Sequence, residues 1–165
     1  MHIQVHSYYS LRYGTLSPEA LAEQATKLGH EALVLTDINN SSGMPDFVRA
    51  CREQGIRPIG GMEFRSENRL LYIGLARNRE GMRELNEFLT EHNLAKRELP
   101  QQPPPFPNAW IIYPYGKVEV EKLGDNELIG VAAQEMGRFA IQANGLFRDR
   151  YVLRLPVTFS GEEGY

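Results

Sequence analysis

The first residues with the chemistry of a functional site are Gln4 and His6. Polar and apolar residues alternate from Ile3 onward. Strand side chains point to opposite faces in turn, so an amide and an imidazole share one face while Ile3 and Val5 take the other. We therefore predict that these two polar groups face one pocket.

A tyrosine-rich loop follows this strand and contains Tyr8, Tyr9, Arg12 and Tyr13. Aromatic rings beside a cationic side chain can stack on the bases of a single-stranded nucleic acid. Tyr8, Tyr9 and Arg12 are therefore candidate nucleic-acid contacts that would steer a strand end toward the pocket. The alternative is that the rings fill space, and of the two we favour packing.

A second polar loop begins at Asp37, directly after the apolar run 32–36. A short continuous apolar run is typical of a strand buried on both faces of a parallel sheet. In α/β barrels and open sheets, functional side chains collect in the loops at the carboxyl ends of such strands. The sequence therefore places Asp37 among the candidate site residues.

Helices and strands alternate along the rest of the chain. A helix is predicted from Pro18, because Ser17 can cap it and Glu19 faces the positive end of its dipole. This alternation predicts a parallel α/β barrel or sheet. The predicted helices cover 18–28, 45–54, 80–91 and 133–139, and the later strands cover 56–64, 69–76, 109–114, 128–131 and 151–155.

Composition is that of one globular domain, with 42% hydrophobic and 24% charged residues and a net charge of -3. This charge gives no overall attraction to nucleic acid. The single cysteine, Cys51, cannot form an internal disulfide and is predicted to be a core residue, which suits the cytoplasm. No apolar run reaches the roughly 18 residues that a membrane span needs, so no membrane contact is expected.

Length predicts an incomplete barrel. A closed barrel of alternating strands and helices takes about 200 residues or more, and this chain has 165. Residues 160–165 have the composition of a polar turn that leads toward another helix. We therefore expect a truncated N-terminal fragment of a longer protein.

A proline-rich connector covers residues 99–107. Its composition favours an extended, stiff backbone of the polyproline type. It is either a loop of the domain or a ligand for a protein that binds proline-rich segments, and we favour the loop.

Several segments resemble the motifs of the PHP (polymerase and histidinol phosphatase) domain family, in the version at the N-terminus of bacterial DNA polymerase III alpha subunits. Residues 3–17 resemble its first motif, residues 36–40 its second and residues 60–64 its third, and residues 75–92 and 148–153 fit in the same order. The resemblance implies that residues 1–165 are a PHP domain. The implied fold is a distorted TIM-like (β/α)7 barrel, incomplete in this chain.

Active members of this family hold divalent zinc, manganese or iron at the mouth of the barrel, and the metals activate water to attack a phosphoester. This chain departs from that pattern at three positions. Gln4 replaces an imidazole, Tyr13 stands where an acidic residue is common, and Ile38 replaces a histidine ligand. A neutral amide is a poor ligand, and an aliphatic side chain offers no lone pair.

The matching positions are His6, Glu63 and His92, with Asp37 nearby. The resemblance implies that they could form a residual site for one metal ion. The alternative, which we favour, is a vestigial pocket without a cofactor, in which His6 hydrogen-bonds to Gln4 or Glu63 and His92 caps its helix through the C-terminal carbonyls. His2 and His30 are weaker candidates.

The resemblance also implies a place in DNA replication. The longer polymerase would add deoxynucleotides to a primed DNA strand, and this fragment alone would be inactive. Its expected partners are the remainder of the polymerase chain, DNA through the full-length protein, and a proofreading exonuclease subunit. The rival hypothesis is a metal-dependent phosphoesterase or 3′–5′ exonuclease, and a third is an interaction module that uses residues 99–107.

Overall fold

The computed structural model describes residues 2–142 and 145–157, which form eight strands and four α-helices. The strands are β1 (Gln4–Val5), β2 (Ala32–Leu35), β3 (Arg57–Ser66), β4 (Arg69–Ala76), β5 (Ala109–Pro114), β6 (Glu127–Ala132), β7 (Tyr151–Arg154) and β8 (Pro156–Val157). The helices are α1 (Pro18–Lys27), α2 (Met44–Glu53), α3 (Arg79–Leu94) and α4 (Met136–Gln142). Short 3-10 turns cover Val120–Lys122, Ala133–Glu135 and Gly145–Arg150.

The strands form a curled sheet of order β2-β3-β4-β5-β6-β7 and a short parallel pair, β1-β8. The pair connects to both edges of the sheet. Val5 accepts a backbone hydrogen bond from Thr36 at 2.8 Å beside β2, and only Leu155 separates β8 from β7. The predicted incomplete TIM-like barrel of an α/β protein is confirmed.

The predicted parallel arrangement does not hold at β4, which runs antiparallel to β3 and β5. Only Glu67 and Asn68 join β3 to β4, and Glu67 has a φ of 54°. A parallel crossover needs a dozen or more residues, so two residues can only make a hairpin. The other pairings in the sheet, β2-β3, β5-β6 and β6-β7, are parallel.

Side-chain caps begin α1 and α3, and the cap at Ser17 is where the sequence predicts it. Ser17 Oγ accepts a hydrogen bond from the Ala20 amide at 3.1 Å, and Asn78 Oδ1 accepts one from Gly81 at 2.9 Å. Each bond satisfies an amide that the first turn of a helix leaves free. The cap at Ser17 fixes where α1 begins, directly after the tyrosine-rich loop.

Three apolar clusters hold these elements together. One lies under α1 and α2 and contains Phe47 and Cys51, one lies under α3 and contains Tyr72 and Phe88, and the third contains Ile73 and neighbouring strand residues. Cys51 is fully buried, as predicted, and burial raises the pKa of its thiol to about 11. Its place in the core is therefore structural.

The proline-rich connector has no helix or strand between residues 97 and 106. Phe106 fixes its end, since this side chain is buried and its ring centroid lies 5.5 Å from that of Phe88. In the described part of the chain, none of the helices combines the length and apolar character needed to cross a membrane.

Candidate functional site

The candidate site lies where β1, β2 and β3 approach their carboxyl ends. His6 follows β1, Asp37 follows β2 at a distance of two residues, and Glu63 lies within β3 opposite Ile38, to which it forms a parallel bridge. β2 and β3 are parallel, and the backbone hydrogen bond from Thr36 to Val5 holds the end of β1 beside the end of β2, so the three strand ends lie together. The sequence prediction that Gln4 and His6 face one buried pocket agrees with their exposed fractions of 2% and 1%.

Glu63 is the centre of this pocket and is fully buried. Its Oε2 atom accepts a hydrogen bond from Gln4 Nε2 at 2.6 Å and lies 2.9 Å from His6 Nε2. Its Oε1 atom accepts a hydrogen bond from Arg65 Nε, which also forms an ion pair with it. Because an ionised carboxylate only accepts, His6 Nε2 must carry the hydrogen that it shares with Glu63.

A second guanidinium reaches the pocket from β7. Arg154 Nη1 donates to Gln4 Oε1 at 3.2 Å, so the Gln4 amide links Arg154 to Glu63. We call Gln4, His6, Glu63, Arg65 and Arg154 the Glu63 network. It surrounds one buried carboxylate with an amide, an imidazole and a guanidinium, and a second guanidinium lies behind the amide.

The pKa of Glu63 is lowered from its ordinary value of 4.5. Burial by itself would raise this pKa, but hydrogen bonds and charge from His6 and Arg65 together overcome the effect of burial. The network therefore holds Glu63 as a carboxylate. Arg154 differs, since burial lowers the pKa of its guanidinium despite the nearby charges of Glu135 and Glu63.

The lowered pKa of Glu63 predicts a loss of stability in acid. The unfolded chain binds a proton at this group more readily than the folded one, so the stabilisation is complete above about pH 5 and is lost as the pH falls through the folded pKa. Urea denaturation between about pH 6 and about pH 3 measures how steeply the unfolding free energy falls with decreasing pH. The slope should be shallower in Glu63→Gln, and an unchanged slope would show that Glu63 does not contribute.

Asp37 anchors the tyrosine-rich loop and does not join the Glu63 network. Its Oδ1 atom accepts hydrogen bonds from the Ser7 amide at 2.8 Å and from Ser10 Oγ at 2.6 Å, and its Oδ2 atom accepts one from Ser7 Oγ at 2.7 Å. Asp37 is 1% exposed. Three hydrogen bonds to one buried carboxylate hold the loop in place.

Tyr13 and Ile38 are the other positions where the sequence departs from the family pattern. The Tyr13 ring lies under the Arg65 guanidinium, with 4.2 Å from the guanidinium carbon to the ring centroid, and its centroid is 6.3 Å from that of His6. The Ile38 amide donates to Ser10 Oγ at 3.0 Å. Tyr13 therefore packs against the network, as the packing hypothesis predicts.

Tyr8, Tyr9 and Arg12 lie on the outer part of the loop. The two tyrosine rings are stacked with centroids 4.7 Å apart, and Tyr9 Oη lies 3.4 Å from Asp46 Oδ2. Tyr8 is 43% exposed, and Arg12 is exposed with a φ of 71°. Contact of these residues with nucleic acid stays a prediction.

The structure does not bring His92 together with His6 and Glu63. His92 Nδ1 lies 2.8 Å from the Phe88 carbonyl oxygen in its own helix, and its ring packs on the Phe88 ring at 4.4 Å between centroids. His92 thus bonds within its own helix, but to an interior carbonyl and not to the C-terminal carbonyls that the vestigial alternative predicts. His2 and His30 pair with each other edge to face, with 6.4 Å between centroids.

The Glu63 network does not fit a metal cluster. His6 Nε2 donates to Glu63, so the lone pair of that nitrogen is not free for a cation, and both carboxylate oxygens of Glu63 already accept hydrogen bonds. Within residues 2–142 and 145–157, there is no group of three or more His, Cys, Asp or Glu side chains that could hold a metal ion. The Arg65 guanidinium instead brings positive charge to the carboxylate.

Sequence reasoning missed Arg65 and Arg154. A signal for Arg65 was present, because it lies two residues after Glu63 on one strand and period-two alternation puts both on one face. The signal for Arg154 was weaker. It lies 150 residues from Gln4 along the chain, and only the pairing of β8 with β1 brings the two together.

Comparisons with known proteins give one family and several polymerases. The family model described as PHP domain matches residues 2–141. An error-prone DNA polymerase from Symbiobacterium thermophilum is 36% identical over 96 residues, which cover 58% of this chain and 9% of that protein. A DNA polymerase III subunit alpha from Neisseria meningitidis is 30% identical over an alignment of 172 residues, which covers 93% of this chain and 14% of that protein.

The chain thus spans a small part of the polymerases that it matches. Among solved structures, an amidohydrolase from Chromobacterium violaceum, determined with bound sulfate and no metal, superposes with a TM-score of 0.42 at 22% identity. That alignment covers 58% of this chain and 34% of the amidohydrolase.

Proposed function

The chain belongs to the PHP domain family, and on that premise we propose that it is the N-terminal PHP domain of a bacterial DNA polymerase III alpha subunit, with a structural and protein-interaction role. Its own phosphoesterase chemistry is lost. In the longer protein the domain packs against the polymerase body, which adds deoxynucleotides to a primed DNA strand. The fragment alone is inactive and binds no cofactor.

One observation carries this proposal: the carboxylate at the centre of the pocket is held by Arg65, Gln4 and His6. A hydrolytic metal site needs lone pairs that point at the cation and an open position for water. Here the donors point at Glu63 and close the pocket around it. A guanidinium supplies the positive charge without offering a Lewis acid.

The proposed partners follow from this context. They are the remainder of the polymerase chain, DNA through the full-length protein, and a proofreading exonuclease subunit. The cytoplasm is the proposed location, which agrees with the single buried Cys51 and with replication as the process.

Elemental analysis and a hydrolysis assay test whether the domain has lost metal binding and phosphoesterase activity. The 165-residue protein, purified after growth with added zinc, manganese and iron, should contain these metals well below one ion per chain. With added Mn²⁺ it should degrade end-labelled single-stranded DNA no faster than Glu63→Gln does. A stoichiometric metal together with hydrolysis that Glu63→Gln abolishes, while circular dichroism shows this variant to be folded, would instead support the metal-dependent phosphoesterase or 3′–5′ exonuclease.

A further inference from the structure

A groove of about 650 Å³ lies between α2 and α3, away from the Glu63 network. We call it the α2–α3 groove. It follows the first residues of β3, Arg57 to Gly60, whereas Glu63 lies further along the same strand, roughly 10 Å away at the usual strand rise. Its volume is in the range of about 300–1,000 Å³ typical of ligand sites.

The floor of the groove is apolar and adaptable. Met44 from α2 and Met82 from α3 approach each other over Gly60, since each sulfur would lie 3.2 Å from a Cβ atom at that glycine. Val48 and Trp110 extend this surface and are only partly buried. Methionine side chains adapt to different apolar groups, and such surfaces are common where proteins bind peptides.

The rim of the groove is cationic. It carries Arg57, Arg77 and Arg79, all exposed, and its lining contains no Asp or Glu. Arg77 lies over Trp110 at 5.6 Å and donates to Asn126. Arg57 and Arg79 have no ion pair within the described residues, although the chain as a whole has a net charge of -3.

From this surface we propose that the α2–α3 groove binds an acidic segment of a partner protein, with one large apolar residue on the methionine floor and flanking carboxylates on Arg57 and Arg79. Charge complementarity selects the acidic residues, and apolar burial anchors the segment. Nucleic acid fits less well, because the one aromatic ring in the lining is already covered by Arg77. This inference rests on the proposed protein-interaction role and identifies the α2–α3 groove as the surface that contacts the partner.

Selection from a library of phage-displayed 12-residue peptides tests the proposal on the 165-residue protein. Enriched peptides should carry a large apolar residue flanked by Asp or Glu, and a fluorescein-labelled copy should bind more weakly as salt rises. The variant Arg57→Glu/Arg79→Glu should weaken its binding at least about tenfold, since two favourable contacts become repulsive. The matched variant Arg97→Glu/Arg138→Glu, with the same net charge, should bind as the wild type does.

Three outcomes would overturn the proposal. They are a lack of enrichment, enriched peptides whose binding is equally weakened by both double variants, and binding of a 12-nucleotide oligo-dT strand that only Arg57→Glu/Arg79→Glu abolishes. The last outcome would assign the groove to nucleic acid. Circular dichroism checks that both variants are folded, and none of these results depends on the metal and hydrolysis assays.

Discussion

The variant Glu63→Gln is expected to lose about 3–5 kcal/mol of unfolding free energy, the range for breaking a buried ion pair by removing one partner. Glutamine keeps the size of the side chain but removes its charge. The Arg65 guanidinium, which is 11% exposed, then has no carboxylate to pair with. The NH₂ group of the new glutamine cannot accept a hydrogen bond, so one of the donors around it also loses its acceptor. Urea denaturation followed by circular dichroism measures this loss.

The control for this variant is Glu87→Gln on α3. Glu87 also pairs with an arginine, Arg83, but both side chains are 55% exposed. Exposed helix pairs of this kind contribute about 0.3–0.5 kcal/mol. Equal effects of Glu87→Gln and Glu63→Gln would contradict a stabilising role for the buried network.

The double variant Glu63→Gln/Arg65→Met separates the ion pair from other effects of the substitution. If Glu63→Gln loses unfolding free energy mainly because the Arg65 guanidinium is left without an ion-pair partner, removing that guanidinium should recover part of the stability. The two substitutions should then be non-additive by about 1–3 kcal/mol, as is typical of residues in one network. Additive losses would indicate that Arg65 and Glu63 act independently.

Local patterns predicted much of the fold because each element carries its own signal. Ser17 and Pro18 mark the start of α1, and the alternation at Gln4 and His6 places both side chains in one buried pocket. The reversal at β4 is encoded in the two-residue link at Glu67, whereas the general alternation of strands and helices predicted parallel pairing there. A short turn should have taken precedence over the general pattern.

The candidate site was only partly predictable because its contacts come from distant segments. The sequence predicted the pairing of His6 with Glu63 as one alternative, and the structure has it. It could not show that Arg154 reaches Gln4, because that contact depends on how the last strands pair with the first. Family motifs proposed His92 as a ligand, but only the packing of α3 shows where this side chain points.

Gly14 has the second large predicted effect, because the tyrosine-rich loop turns tightly against the strand that carries His6. A Cβ atom at Gly14 would lie 2.0 Å from the Ser7 carbonyl oxygen and 2.9 Å from that of His6. Both contacts are with backbone, which cannot move aside as a side chain can. Gly14→Ala should therefore lower the unfolding free energy by about 3 kcal/mol, at the upper end of usual overpacking costs.

A second glycine makes this prediction specific. Gly137 lies in α4, and a Cβ atom there would meet nothing within 4 Å. Gly137→Ala should therefore raise the unfolding free energy by about 0.5–1 kcal/mol, because alanine loses less conformational freedom than glycine in a helix. If urea denaturation shows that the unfolding free energy falls in Gly14→Ala and rises in Gly137→Ala, the steric constraint lies at Gly14 and is not a general effect of replacing glycine. A Gly14→Ala variant as stable as the wild type would mean that the loop is not held against Ser7, and that Asp37 does not fix it there.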